Sequence, residues 1–147
     1  MVETVYPGSV EGSVHIPGSK SHTIRALLIT SLAGGRSELR SPLYSRDTEA
    51  CVAACSALGA AIETHPDRIS VEGTGADLTI PEAPIDVANS GTTLYLATSA
   101  AALASGRVCF DGDASIRRRS AAPLLGTLKE LGVSVTEQGE AGCAPYC

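Results

Sequence analysis

Three short segments of this 147-residue chain carry residue types suited to holding an anion. The first is Pro17-Gly18-Ser19-Lys20-Ser21-His22-Thr23-Ile24-Arg25. A Gly-Ser turn there opens a helical run, and the free N–H groups and dipole at a helix start favour negative charge. Lys20 adds a cation and Ser21 a hydroxyl. Arg25, one turn later, adds a planar fork for phosphate or carboxylate. Ser19 intervenes between Gly18 and Lys20, so this is not the phosphate loop of nucleotide hydrolases, in which Lys directly follows Gly. The same residues also fit a plain helix start, with Ser19 or Ser21 as cap and Lys20 and Arg25 in solvent.

The second segment is Asn89-Ser90-Gly91-Thr92-Thr93, again a Gly turn before a helical run. Gly91 lets backbone approach a ligand closely, and the amides and hydroxyls there can bind an anion; a capping turn explains it as well. The third runs from Asp111 to Ser120 and gathers Arg117, Arg118 and Arg119 in one loop. Consecutive residues cannot all face one ligand, so one of the three is expected in a site; a solvated run, or a patch for RNA or another chain, is the alternative. Asp47, in Ser45-Arg46-Asp47-Thr48-Glu49, can accept substrate hydroxyls or serve as a first-turn carboxylate favoured by the helix dipole. His22 has no Ser or Asp partner at hydrolase-like positions, which argues against a triad. His15 and His65 give no signal.

The elements that must position these segments repeat. Ala26–Arg36 resembles Ala97–Arg107, 71 residues later, and Leu58-Gly59-Ala60 resembles Leu131-Gly132-Val133, 73 residues later. At the first offset, Gly18-Ser19-Lys20-Ser21 falls on Asn89-Ser90-Gly91-Thr92, so the same kind of turn recurs at the same place. In each unit a short strand (Ser13–Ile16; Ile85–Val87) leads through that turn into a helix (Ser21–Ala33; Thr92–Ala104). A strand follows (Arg36–Arg40; Arg107–Asp111), then a helix closing in Leu-Gly (Arg46–Leu58; Ala121–Leu131). A hairpin ends the first unit, Ala61–Thr64 and Arg68–Val71 around Pro66-Asp67; Val133–Thr136 begins its counterpart. The reading is βαβαββ twice, an α/β (α+β repeat) architecture with units at about 10–76 and 77–147. The first helix of each unit is apolar or small almost all round, as interior helices are. Two units offer too little surface to wrap two such helices, so neighbours are expected.

Hydrophobic residues make up 44% of the chain and charged residues 18%, a globular balance that argues against disorder. With aromatics at 3%, the core must come from Ala, Leu, Val and Ile. A net charge of −5 disfavours a general nucleic-acid binder. No apolar run approaches the roughly 18 residues of a membrane span. Met1–Tyr6 lacks the features of a signal peptide, so the cytoplasm is the expected compartment. Of five Cys, Cys51 and Cys55 lie in an Ala-rich helical run and read as small buried hydrophobes rather than metal ligands.

Taken in order, Pro17-Gly18-Ser19-Lys20-Ser21 with Arg25-Ala26-Leu27-Leu28, then Asn89-Ser90-Gly91-Thr92, then Gly112-Asp113 through Arg117-Arg118-Arg119 and Leu124-Leu125, resemble 5-enolpyruvylshikimate-3-phosphate synthases. The resemblance covers nearly the whole chain. It implies a transferase that moves the enolpyruvyl group of phosphoenolpyruvate to the 5-hydroxyl of shikimate 3-phosphate, releasing phosphate, on the way to aromatic amino acids. It implies the inverse α/β-barrel fold of enolpyruvyl transferases: two domains of three βαβαββ units, with the active site between them and no metal or organic cofactor. Residues 1–147 would then be a partial domain.

By matching position, the resemblance gives Lys20 contact with both substrates and assigns Ser21 and Arg25 to shikimate 3-phosphate. Gly91, through its backbone, and Arg119 would bind phosphoenolpyruvate, while Asn89 and Asp47 shape and polarise the site. No catalytic acid or base is carried over, because the family's acid/base carboxylates lie in the absent part. Such an N-terminal piece would be inactive alone, and its partner would be the missing C-terminal part or a second copy of itself. The chain departs from the family pattern twice: Tyr95 stands where many members have Arg, and Ser120 where many have Pro. The alternatives are a non-catalytic anion-binding or assembly module, and the related UDP-N-acetylglucosamine enolpyruvyl transferase. The latter's opening motif has Asn where this chain has Ser21, and it lacks the Arg25 pattern.

Overall fold

Serine hydroxyls start three of the four α-helices among the described residues. In α1 (Lys20–Leu32), Ser19 Oγ accepts from His22 N–H at 3.4 Å. In α2 (Arg46–Ala57), Ser45 and Thr48 cap each other's backbone reciprocally, with Asp47 and Glu49 in the first turn, where the helix dipole favours carboxylates. In α3 (Gly91–Ala101), Ser90 Oγ accepts from Thr93 N–H at 3.3 Å. Helix α4 (Ala122–Glu130) has no side-chain cap and instead carries Pro in its first turn. The Leu-Gly endings behave as expected: Leu58 and Leu131 close α2 and α4, and Gly59 and Gly132 follow with positive φ. The computed structural model describes residues 3–75 and 77–147; the expected unit end at Ala76 and the first two residues of the Met1–Tyr6 segment lie outside that range.

Strands β1 (Gly34–Arg40), β2 (Ala61–His65) and β3 (Arg68–Thr74) form an antiparallel sheet in the order β1-β3-β2. Pro66-Asp67 makes the β2–β3 turn. The register runs from Gly34↔Thr74 to Arg40↔Arg68 on one side of β3 and from Ala61↔Glu72 to His65↔Arg68 on the other. Ile69 and Val71 are fully buried and join Ile24, Leu27, Cys51 and Cys55 in one apolar cluster. Both thiols are buried as expected; a hydrogen bond with Cys55 and burial push the Cys51 thiol up.

Strands β4 (Ile85–Asp86) and β5 (Phe110–Asp111) pair in parallel, with α3 as the crossover that parallel pairing requires. Their cluster centres on Val87, Leu94, Ala97, Phe110, Ile116 and Tyr146. The Tyr146 ring packs 6.1 Å from Phe110, and its hydroxyl meets Thr98 Oγ1 at 2.9 Å. Cys109 is disulfide-bonded to Cys147.

Some expected strands are absent. Ser13–Ile16 pairs with nothing among the described residues, and Val14 and Ile16 remain 83% and 74% exposed. Alternating apolar residues mark one face of a strand, but the strand itself exists only when a neighbour takes up its N–H and C=O groups. Val133–Thr136 forms no strand either: Thr136 exchanges two backbone hydrogen bonds of 2.8 Å with Cys147, and an isolated bridge, Glu137↔Tyr146, stands beside it. The expected strand over Arg107–Asp111 contracts to Phe110–Asp111 because its partner β4 has only two residues. Ile29 on α1 and Leu103 just past α3 are exposed, as expected for helices lacking neighbours.

Candidate functional site

The N-termini of α1 and α3 are joined through the start of α2. Lys20 Nζ lies 3.2 Å from Asp47 Oδ2, with both side chains part-exposed. Such a pair adds little to stability; its consequence is that Asp47 aims the ammonium. Thr93, in the first turn of α3, donates its hydroxyl to the Asp47 carbonyl at 3.4 Å. Gly18 supports this arrangement because a Cβ there would lie 2.6 Å from the Ser41 carbonyl oxygen. The turn before α1 therefore sits flat against residues 41–43, and Leu43 N–H donates to Thr23 Oγ1 at 3.0 Å.

At α3 the cation comes from elsewhere. Arg119 Nη2 donates to Asn89 Oδ1 at 3.2 Å, and a Cβ on Gly91 would lie 2.9 Å from Arg119 Nη1. Gly91 thus admits the guanidinium to the first turn of the helix. Two positive features, a helix N-terminus and an Arg, converge where one neutral amide oxygen is the only hydrogen-bond acceptor the Arg119 side chain finds among the described residues. An anion placed there would satisfy both.

The structure separates the three arginines. Arg117 forms a bidentate pair with Asp111, Nε to Oδ1 at 2.9 Å and Nη2 to Oδ2 at 2.6 Å. The Arg117 hydrogen bond holds the Asp111 carboxyl below its ordinary range; partial burial opposes this and Gly112 N–H assists it. Arg118 lies in the 3-10 turn Ile116–Arg118. Arg119 alone reaches Asn89.

Lys20, Asp47, Asn89, Gly91 and Arg119 are therefore linked into one wall. Ser21 and Arg25 stand beside Lys20 on α1, and Arg25 Nη1 donates back to the Ser21 carbonyl at 3.1 Å. Sequence reasoning placed Thr93 in the second segment but missed its bridge to α2, which runs between positions 46 residues apart. It also missed what its two family departures do: Tyr95 donates its hydroxyl to the Ser120 carbonyl at 2.6 Å, so the two departures touch each other. An open cavity of about 630 Å³ with a mixed lining lies at the other end of α3, bounded by Ala101, Arg107, Leu128, Thr136 and Tyr146 among others. No group of three or more His, Cys, Asp or Glu able to hold a metal occurs among the described residues, nor any helix long and apolar enough to cross a membrane.

Comparison with known proteins gives this wall a context. The family model for EPSP synthase (3-phosphoshikimate 1-carboxyvinyltransferase) matches residues 5–147. The chain is 47% identical over 145 residues to the 3-phosphoshikimate 1-carboxyvinyltransferase of Acetivibrio thermocellus, covering 99% of this chain and 34% of the relative. It is 42% identical over 146 residues to that of Methanococcoides burtonii, again covering 99% and 34%. Among solved structures, EPSP synthase from Acinetobacter baumannii superposes with a TM-score of 0.81 at 26% identity, covering 92% of this chain and 31% of that one. The chain spans about a third of the length of the relatives it matches. The family match over residues 5–147 and the fold agree: this chain belongs to the EPSP synthase family, as a part of its length.

Proposed function

We propose that this chain is the N-terminal part of an enolpyruvyl transferase that moves the enolpyruvyl group of phosphoenolpyruvate to the 5-hydroxyl of shikimate 3-phosphate and releases phosphate. The setting is the shikimate route to aromatic amino acids, in the cytoplasm. The observation that carries this reading is the convergence of Arg119 on the Gly91 turn of α3, alongside Lys20 at the start of α1. Both substrates are multiply charged anions, and cations at helix N-termini suit them.

In this reading Ser21 and Arg25 hold shikimate 3-phosphate, Gly91 and Arg119 hold phosphoenolpyruvate, and Lys20 lies between the two and touches both. Asp47 fixes the Lys20 ammonium and Asn89 the Arg119 guanidinium, so the charges are set before the tetrahedral intermediate develops its own. The chain forms one wall of a cleft, in about two repeat units, 10–76 and 77–147. The rest of the enzyme, or a second copy of the chain, would cover Ile29 and Leu103 and complete the site.

Mixing the purified chain with the C-terminal two-thirds of a relative tests this. Phosphate release from the two substrates by the mixture, and by neither piece alone, is the expected result. A mixture that associates yet releases no phosphate contradicts the reading.

A further inference from the structure

We propose that Tyr95 is a positioning residue that holds Arg119 over the N-terminus of α3, so that affinity for phosphoenolpyruvate depends on a hydroxyl that does not touch the ligand. The inference rests on the assignment of Gly91 and Arg119 given above.

The loop from Asp113 to Ser120 is fastened in stages. At its start, Asp113 Oδ1 accepts from Ser115 N–H at 2.8 Å and Ile116 N–H at 2.9 Å. In its middle, the Ile116 side chain is fully buried and Arg117 is clamped on Asp111. The backbone then leaves the 3-10 turn at Arg119, with φ −93° and ψ 118°. Nothing in these first two fastenings ties the outgoing end of the loop to α3.

Two side-chain contacts do. Arg119 itself reaches Asn89, just before the helix, and Tyr95 donates to the carbonyl of Ser120, the next residue in the loop. Tyr95 is four residues after Gly91 and so lies on the same face of α3, one turn on. The helix thereby grips the loop on both sides of the guanidinium it must receive. Because the acceptor is a backbone oxygen, the contact fixes the path of the main chain at Arg119 rather than the rotamer of one side chain. The Tyr95 ring is 37% exposed, so removal of its hydroxyl leaves the apolar cluster intact.

Calorimetric titration of the 147-residue chain with phosphoenolpyruvate, and separately with shikimate 3-phosphate, tests this alongside the melting temperature. Tyr95→Phe is expected to weaken phosphoenolpyruvate binding about five- to tenfold, the effect of one hydrogen bond. It should leave shikimate 3-phosphate binding and the melting temperature unchanged. Arg119→Ala should lose phosphoenolpyruvate binding altogether. If Arg119→Ala loses binding while Tyr95→Phe binds as the native chain does, Tyr95 has no positioning role and the site assignment stands. If Tyr95→Phe weakens both ligands equally and melts earlier, its role is structural and the proposal is overturned. If Arg119→Ala binds like the native chain, or the native chain binds neither ligand, the site assignment fails and takes the proposal with it.

Discussion

The starts of α1 and α3 are built alike and charged differently. Each follows a Ser cap that accepts from the backbone three residues on. Helix α1 carries Lys20 and Arg25 in its own first turns, so their positions follow from the helix itself. Helix α3 has no cation of its own there and borrows Arg119, thirty residues after Asn89. A borrowed cation must be placed by other contacts: Asp113 at the loop start, the Arg117–Asp111 pair, and Tyr95 at the exit. In the assignment proposed above, phosphoenolpyruvate binding at α3 should therefore be sensitive to changes that never touch ligand, and shikimate 3-phosphate binding at α1 should not.

The largest effect that tests this contrast is loss of an α1 cation. Lys20→Ala or Arg25→Ala removes a charge-assisted contact and should weaken shikimate 3-phosphate binding about 10- to 100-fold in calorimetry. Arg25→Ala should leave phosphoenolpyruvate nearly unaffected, whereas Lys20→Ala should weaken both. Equal effects of Arg25→Ala on the two ligands would merge the two sides into one site.

A smaller effect separates the caps. Ser90 is buried, and its hydroxyl also donates to Thr93 Oγ1 at 2.7 Å, on the path to Asp47. Ser19 lies at the surface with one long contact of 3.4 Å. In urea denaturation, Ser90→Ala should cost about 1–2 kcal/mol and Ser19→Ala about half as much. The reverse order would contradict the view that α3 is the more interlocked end.

Smallest is the response to acid. The folded-state pKa of Asp111 is lowered, so its pairing with Arg117 contributes fully above the ordinary Asp range and is lost as pH falls through the lowered value. The amide resonance of Gly112, which donates to Asp111 Oδ1 at 2.8 Å, should shift only below about pH 4, and should stop doing so in Asp111→Asn. Shifts centred near neutral pH would assign the loop's anchoring to another group.

What the sequence made legible was local. Ser caps, Leu-Gly helix ends, the Pro66-Asp67 turn and the three anion-suited segments depend on residues a few positions apart, and the structure places them as expected. Whatever depended on a distant partner was hidden. Ser13–Ile16 has the alternation of a strand but no neighbour among the described residues. That Arg119 and not Arg117 reaches Asn89 follows from Asp111 pairing with Arg117, a choice made by the fold of the loop. The hydroxyl of Tyr95 finds a carbonyl 25 residues away, and a backbone acceptor leaves no mark in residue type. The same holds for Thr93 and the Asp47 carbonyl.

In the proposed assignment this wall binds the family's anionic substrates by itself, weakly. Titration of the folded chain with shikimate 3-phosphate tests it most directly. Saturable one-to-one binding, weakened about 10- to 100-fold in Arg25→Ala, is the expected result; no heat of binding up to millimolar ligand, from a chain shown to be folded by its circular dichroism, would contradict it.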